Sequence, residues 1–382
     1  MLFTWASVAF CIRVTPLRTQ GASIVDSIGS TVRLKCVNWP AHMQTLLPEG
    51  LADVTPEKMA FSIQEMGFNC VRLTFSNELV EKHNNSALDA FDIHASTSAK
   101  LSIRSVNPWI VSSTVWSVLE RVLKALDSKS IMVILDNHVS KATWCCPLDD
   151  GNRWFSKEWF HVDEWIKVLV TVSTFVQDHS NVVGIGLRNE LFKSPLKGFG
   201  FKEWLTYMSQ AAVAVNTANP NLLIFAAGTV AAGNLGFLRS NPFVPQIKHK
   251  IVFESHIYNG IYVAPFWNRA GERLTCSFLQ RFLLRNRNEF VTSMSSPRPY
   301  FLGEFGLDVQ NFNVTSDSKD VKYLRCVADW VHDKNISFGF WVLVGKYYYR
   351  DGTQDYEESW GLLNSDNKLA RNPSLLLLLK NL

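Results

Sequence analysis

The 382-residue chain has no CxxC pair and no Cys/His cluster at metal-ligand spacing. That excludes a zinc module or a dithiol redox centre as its organising feature. It has no run of Lys or Arg: 38 basic residues stand against 34 acidic ones, a formal net charge of +4. A nucleic acid or an anionic membrane surface is therefore not an expected partner. No segment approaches the roughly 20 apolar residues of a membrane span, and the five leucines at 375–379 are too few. No GxGxxG or P-loop follows the first predicted strand, which counts against a doubly wound nucleotide-binding sheet. Repeats, low-complexity stretches and linkers that would divide the chain are also missing, so a single domain is expected.

Hydrophobic residues are plentiful at 47%, with 13 Trp, 9 Tyr and 25 Phe. Most belong in a core, yet indole rings also suit the apolar C–H faces of pyranose sugars. Residues 1–12 form a short apolar run that fits the core of a leader peptide, although no Lys or Arg precedes it. The expected division is a leader over residues 1–15, cut between Ile12 and Pro16, and one folded domain over 16–382. Secretion is the matching expectation. Seven cysteines lie at 11, 36, 70, 145, 146, 276 and 326. Losing Cys11 would leave six, an even number that permits disulfides, and Cys145 and Cys146 can each pair elsewhere. Sequons at Asn84, Asn313 and Asn335 fit the same compartment.

From about Val32, strand-like runs alternate with helix-like runs. Strands are predicted over 32–39, 69–75, 131–135, 182–187, 222–226, 250–253, 300–302 and 337–344. Helices are predicted over 56–66, 109–126, 156–177, 201–215, 275–290, 319–333 and 373–382. Eight strands alternating with helices predict one (β/α)8 TIM barrel, an α/β fold. The polar, Ser-rich stretch 77–108 reads as an elaborated loop over a cleft, and 147–154 as another.

In such a barrel, chemistry collects at the carboxyl ends of the strands. The polar residues there form a coherent set. Strand two carries Arg72, which needs an anionic or carbonyl partner inside an apolar strand. Strand three ends in His138 and strand four in Asn189 and Glu190. Strand six leads into His256 and Tyr258, strand seven into Glu304, and strand eight holds Trp341. Two glutamates at the ends of two buried strands suit glycoside hydrolysis. One carboxyl is held protonated for the leaving oxygen, and the other ionised for the sugar or water.

The motifs CVNWPAHMQTLLPEGL (36–51), MGFNCVRLTFS (66–76), LDNHVSKATWCC (135–146), VVGIGLRNEL (182–191), FESHIYNG (253–260), FLGEFG (301–306) and FGFWVLVGKYYYRDGTQDYEESWGLL (338–363) resemble glycoside hydrolase family 5. The likeness is to its cellulase-like retaining members, plant ones most of all, and runs from about Pro16 to the end. It implies Glu190 as acid/base and Glu304 as nucleophile. Asn189 would read the 2-hydroxyl, and Arg72 and Tyr258 would touch the nucleophile. His138 and His256 would hold sugar or carboxylate, and Trp341 would floor the subsite. Arg72 should favour the ionised form of Glu304, while poor solvation keeps Glu190 protonated. No metal or organic cofactor is implied, and a monomer is expected. Some plant members carry a carbohydrate-binding domain after the barrel; none is expected here.

These features predict a retaining endo-glycosidase of β-linked polysaccharide, cellulose-like β-1,4-glucan first. Alternatives are a β-mannan hydrolase, a transglycosylase, and a catalytically silent glycan-binding barrel. Loops 77–108, 144–154, 259–274 and 345–360 should decide among substrates, with Tyr347, Tyr348, Tyr349 and Trp267 as candidate stacking residues.

Overall fold

The computed structural model describes residues 15–382 except 148, 149, 194–197, 199, 242, 260–275, 277–278, 281–284 and 311. Residues 1–14 of the expected leader, residues 275, 277, 278 and 281–284 of the helix expected over 275–290, most of the loop 259–274, and Trp267 lie outside the described residues. The end of that expected helix is not α-helical: residues 286–288 form a turn and Glu289–Thr292 a 3-10 turn.

Eight parallel strands close into a barrel, numbered here β1 (Lys35–Trp39), β2 (Cys70–Ser76), β3 (Met132–Val139), β4 (Val182–Gly186), β5 (Leu223–Ala227), β6 (Ile251–His256), β7 (Tyr300–Phe305) and β8 (Ser337–Phe340). Closure joins β8 to β1, with Phe338 opposite Lys35 and Phe340 opposite Val37. The predicted (β/α)8 barrel is thus the observed fold.

Strand alternation explains how one barrel holds both core and chemistry. Cys36, Cys70, Met132, Ile134, Val252 and Phe301 belong to one apolar cluster. Two residues further along the same strands stand Asn38, Arg72, Asp136 and Glu254, and two further again His138 and His256. Side chains two apart share a face, so the register that fills the lower barrel with apolar groups lines its upper end with polar ones. Leu17 and Ile24, from a short amino-terminal hairpin (Arg18–Gln20, Ser23–Val25), pack on the same apolar cluster. Cys36 and Cys70, register partners in β1 and β2, are disulfide-bonded, and Cys276 is bonded to Cys326.

Among the described residues the α-helices are α1 (Pro56–Glu65), α2 (Asn77–Glu81), α3 (Ala87–His94), α4 (Thr97–Val106), α5 (Val115–Ser128), α6 (Val162–Phe175), α7 (Phe201–Ala218), α8 (Lys319–Asp333) and α9 (Pro373–Lys380). Four further expectations need correction. The stretch 77–108 is not a loop: Ser76, Ser86 and Ser96 each accept a backbone N–H three residues on and start α2, α3 and α4. Its serines are helix caps spaced ten residues apart. The helix expected over 109–126 is split. Residues Pro108–Ser112 form a 3-10 turn, and α5 starts afresh behind the Thr114 cap. The helix expected from Ser156 begins at Val162, because 156–160 turn back on themselves through the Ser156 N–H to Phe160 O bond. Strand eight stops at Phe340, so Trp341 follows it rather than lying within it.

Candidate active site

Arg72 organises the upper end of the barrel. Its side chain is fully buried on β2. Nη1 donates to Glu304 Oε1 at 2.8 Å and to Asn38 Oδ1 at 3.0 Å. Nη2 donates to Asn189 Oδ1 at 3.1 Å and lies 2.8 Å from Asp136 Oδ1. Nε is 3.0 Å from Glu254 Oε1, an ion-pair contact without the alignment of a hydrogen bond. A buried guanidinium is tolerable only with such partners. Here they fix carboxyl groups on three different strands.

Glu304 is buried at the end of β7, opposite His256 after a register shift between β6 and β7. Tyr258 donates its hydroxyl to Glu304 Oε2 at 2.6 Å. Burial raises the Glu304 carboxyl above its ordinary value. His256 and Arg72 pull it back, Glu190 pushes it further up, and the Tyr258 bond lowers it. Arg72 therefore favours the ionised form as expected, but burial wins in sum. Room for the Glu254 side chain comes from Gly303: a Cβ there would sit 1.9 Å from Glu254 Oε1.

His256 bridges the two glutamates. Nε2 is 3.1 Å from Glu254 Oε1, Nδ1 is 3.1 Å from Glu190 Oε1, and Nδ1 is 3.7 Å from Glu304 Oε2. Burial lowers the imidazole, but Glu304, Glu190 and Glu254 outweigh it and push it up to about 10. His256 is thus an imidazolium at neutral pH. One carboxylate oxygen each of Glu190 and Glu304, and a ring nitrogen of His256, lie within 4.8 Å of one another.

His138 takes the opposite state. Burial drives it well below its ordinary value, helped by the positive charges of Arg72, His256 and Arg188. Neutral His138 then donates from Nδ1 to Asp136 Oδ2 at 2.7 Å, which leaves Nε2 facing Asn189 Nδ2 at 3.4 Å. Its ring stacks on Trp341 at 5.6 Å and 12°. The Asn189 backbone is pinned to Asn137 O at 2.9 Å, and Glu190 adopts a positive φ of 35° as the chain leaves β4.

His138, Asn189, Glu190, Tyr258, Glu304 and Trp341 line a cleft of about 380 Å³ with Trp144, Cys145, Cys146, Asn259, Arg350, Glu358 and Trp360. All eight residues singled out from the sequence therefore meet in one place. Glu190, Glu304, His138, Asn189, Tyr258 and Trp341 line the cleft; Arg72 and His256 lie behind it. The stacking candidates fare differently. Tyr347 and Tyr348 are fully buried, and Tyr348 uses its hydroxyl on Ala52 N and Pro48 O. Tyr349 leans on His94. None of the three lines the cleft. The aromatic walls are Trp144, Trp341, Trp360 and Tyr258 instead.

Sequence reasoning missed Asp136, Glu254 and Asn38. The signal was present: LDNH and FESH each place a carboxylate two residues before a histidine, on the same strand face. It also missed the Arg350 guanidinium, which lies 3.4 Å from the Trp144 ring centroid and donates to Glu358 Oε2 at 2.7 Å. Cys145 and Cys146 do not pair elsewhere; they are bonded to each other. Among the described residues, two clusters have metal-ligand spacing: Cys145, Cys146 and Glu190, and Glu190, His256 and Glu304. The first is closed by its disulfide, and in the second His256 holds its proton between carboxylates.

The family model for cellulase (glycosyl hydrolase family 5) matches residues 27–346. The chain belongs to glycosyl hydrolase family 5. A glycosyl hydrolase 5 family protein of Chamaecyparis obtusa is 34% identical over 379 residues, covering 96% of this chain and 66% of the relative. This family 5 chain thus spans just under two thirds of that relative's length. An endoglucanase of Paenibacillus polymyxa is 22% identical over 342 residues, covering 85% of this chain and 79% of the relative. Among solved structures, a Pyrococcus horikoshii endocellulase in complex with cellotetraose superposes with a TM-score of 0.76 at 20% identity, covering 96% of this chain and 98% of that one. The catalytic domain of the major endoglucanase of Xanthomonas campestris gives 0.75 at 19% identity, covering 96% and 99%. At these identities the structures speak for the shared barrel.

Proposed function

We propose that this family 5 chain is a retaining, endo-acting β-glycosidase, with β-1,4-glucan as its first substrate. The observation that carries the reading is the closeness of Glu190 and Glu304, whose carboxylate oxygens lie within 4.8 Å. Two-step glycosidases set their carboxyls at about 5–5.5 Å, whereas a single-step enzyme leaves about 6.5–9.5 Å for a water. Endoglucanase and endocellulase among the relatives support the substrate class.

In the first step Glu304 attacks the anomeric carbon. The C–O bond to the leaving sugar breaks, and Glu190 gives its proton to the departing oxygen. In the second, Glu190 takes a proton from water, water attacks the anomeric carbon, and the ester to Glu304 breaks. Arg72 and Tyr258 hold Glu304 in line, through bonds of 2.8 and 2.6 Å. Asn189, fixed by Arg72 and by its own backbone bond, presents its amide to the 2-hydroxyl. Trp341 offers an indole face to the sugar ring. Neither step calls on a metal or an organic cofactor.

A leader over residues 1–15, a catalytic domain over 16–382 and a secreted monomer complete the proposal. Exposed positions for Asn84, Asn313 and Asn335 are compatible with glycosylation in that compartment.

The test is hydrolysis of soluble β-glucans, β-mannans and aryl β-glycosides by wild type, Glu190→Ala and Glu304→Ala, with the first-formed anomer followed by NMR. Cleavage with a β-anomer product, lost in both variants, is expected. A first-formed α-anomer would sink the two-step mechanism. Glycan binding without any cleavage would make the barrel a lectin-like one.

A further inference from the structure

The loop after β3 carries a feature that the two glutamates leave unused. Neighbouring Cys145 and Cys146 are joined by a disulfide, and both half-buried residues line the cleft. Their sulfurs lie within 4.8 Å of a Glu190 carboxylate oxygen, and neither belongs to the Glu190–His256–Glu304 group. Cys145 Sγ is 3.4 Å and Cys146 Sγ 3.9 Å from Asn189 Nδ2. Arg153 anchors this loop to the same glutamate: Nη1 donates to Cys146 O at 3.2 Å, and Nη2 lies 4.0 Å from Glu190 Oε2.

A structural role accounts poorly for this bond. Cys36–Cys70 and Cys276–Cys326 close loops with separations of 34 and 50 residues. A bridge between adjacent residues closes almost no chain, so it restricts the unfolded state little. Its chemistry is informative instead. A disulfide has no N–H or O–H to donate, and its sulfur is soft, polarizable and only a weak acceptor. Beside Glu190 and Asn189 it forms an apolar plate in a polar wall. The group next to Glu190 in the first step is the sugar on the departing oxygen, and such a sugar turns C–H groups outward.

Resting on the two-step reading, we propose that the Cys145–Cys146 disulfide is the apolar wall of the subsite that receives the leaving-group sugar, and later the acceptor in its place. It holds that sugar by contact with its C–H face while Glu190 works on the bridging oxygen. Oxidised Cys145–Cys146 is therefore the competent form for oligosaccharides.

The experiment separates this subsite from the rest. A 2-deoxy-2-fluoro cellobioside with a dinitrophenolate leaving group traps Glu304: the ester bond forms, and the phenolate departs with the bond's electron pair. The trapped enzyme is then released by water, or by cellobiose, whose hydroxyl attacks the anomeric carbon and gives its proton to Glu190. In the double variant Cys145→Ala/Cys146→Ala, the cellobiose concentration for half-maximal release should rise about tenfold (about 1.4 kcal/mol), each curve being read against release by water in the same protein. A phosphine reductant should do the same to wild type: the S–S bond breaks, water supplies the two thiol protons, and the phosphine becomes its oxide. It should leave the double variant unmoved. This arm uses the native chain, so a variant that fails to fold does not remove the test. Unchanged half-saturation in both arms overturns the subsite, as does weakened trapping with acceptor release intact. No adduct on wild-type Glu304 overturns the two-step reading and the subsite with it.

Discussion

At the scale of the residue, the site depends on opposing protonation states held a few ångströms apart. His256 keeps a proton among Glu190, Glu254 and Glu304, while His138 loses one under burial and the fields of Arg72, His256 and Arg188. Glu304 must be ionised to attack, yet burial raises its carboxyl. The acid limb of the pH–rate profile should therefore sit above the ordinary 4.5 of a glutamate. Tyr258→Phe removes a donor to the ionised form. Its loss raises the carboxyl further, so the acid limb should move to higher pH, and kcat should fall roughly 10²-fold, as when one preorganised donor is removed. A profile with an unmoved acid limb would show that Tyr258 does not act through Glu304. The eight site residues were legible because their side chains differ so sharply from the apolar strands that carry them. Asp136 and Glu254 were overlooked because each stands just before a more conspicuous histidine. Tyr347 and Tyr348 misled for a related reason: composition gives an aromatic's surface but not its direction, and their rings turn into the core.

At the scale of the element, strands were easier to place than their ends. Strand β3 runs to Val139 and β6 to His256, past the point where apolar residues give out, because ladder pairing continues beneath polar side chains. Helices were misjudged where capping overrode periodicity, as in the three serine-capped turns of 77–106. Glycine shows the same dependence on neighbours. Gly303 faces Glu254, which Arg72 and His256 hold, so the glutamate cannot simply swing away. Gly303→Ala should lower the melting temperature and reduce kcat at least about tenfold, because the displaced carboxyl loosens both cations. Gly352→Ala, in the exposed turn between Lys346–Arg350 and Thr353–Glu357, adds a Cβ with nothing within 4 Å, although its φ of +82° favours glycine. It should cost about 1 kcal/mol of stability and leave kcat unchanged. Equal loss of kcat in the two variants would refute the role given to Gly303.

At the scale of the whole molecule, a net charge of +4 spread over 382 residues gives little long-range field. Cleft charges are paired at short range: Arg350 with Glu358 at the rim, and Arg72 with three carboxylates below. A neutral polysaccharide gains nothing from steering, so KM for a soluble β-glucan should change less than about twofold between low salt and roughly 0.5 M. A strong salt dependence would point to a charged substrate. The fold class was readable from the count and order of periodic segments. Which glycan fits was not, because the Trp144–Cys146 turn is set by contacts with segments far apart in sequence, such as Arg350 over Trp144 and Asn189 against Cys145.

Closure of β8 on β1 has a consequence in time. Residues 35–37 wait for partners at 338–340, some three hundred positions later. A growing chain thus carries every candidate catalytic group up to Glu304 before the sheet can become a cylinder. Until then, β1 and the latest strand made are both open edges, each able to pair with a stranger. Contacts so distant in sequence form slowly. The yield of active protein in a host cell will therefore be governed by how well those two edges are shielded during synthesis, more than by the stability of the finished barrel.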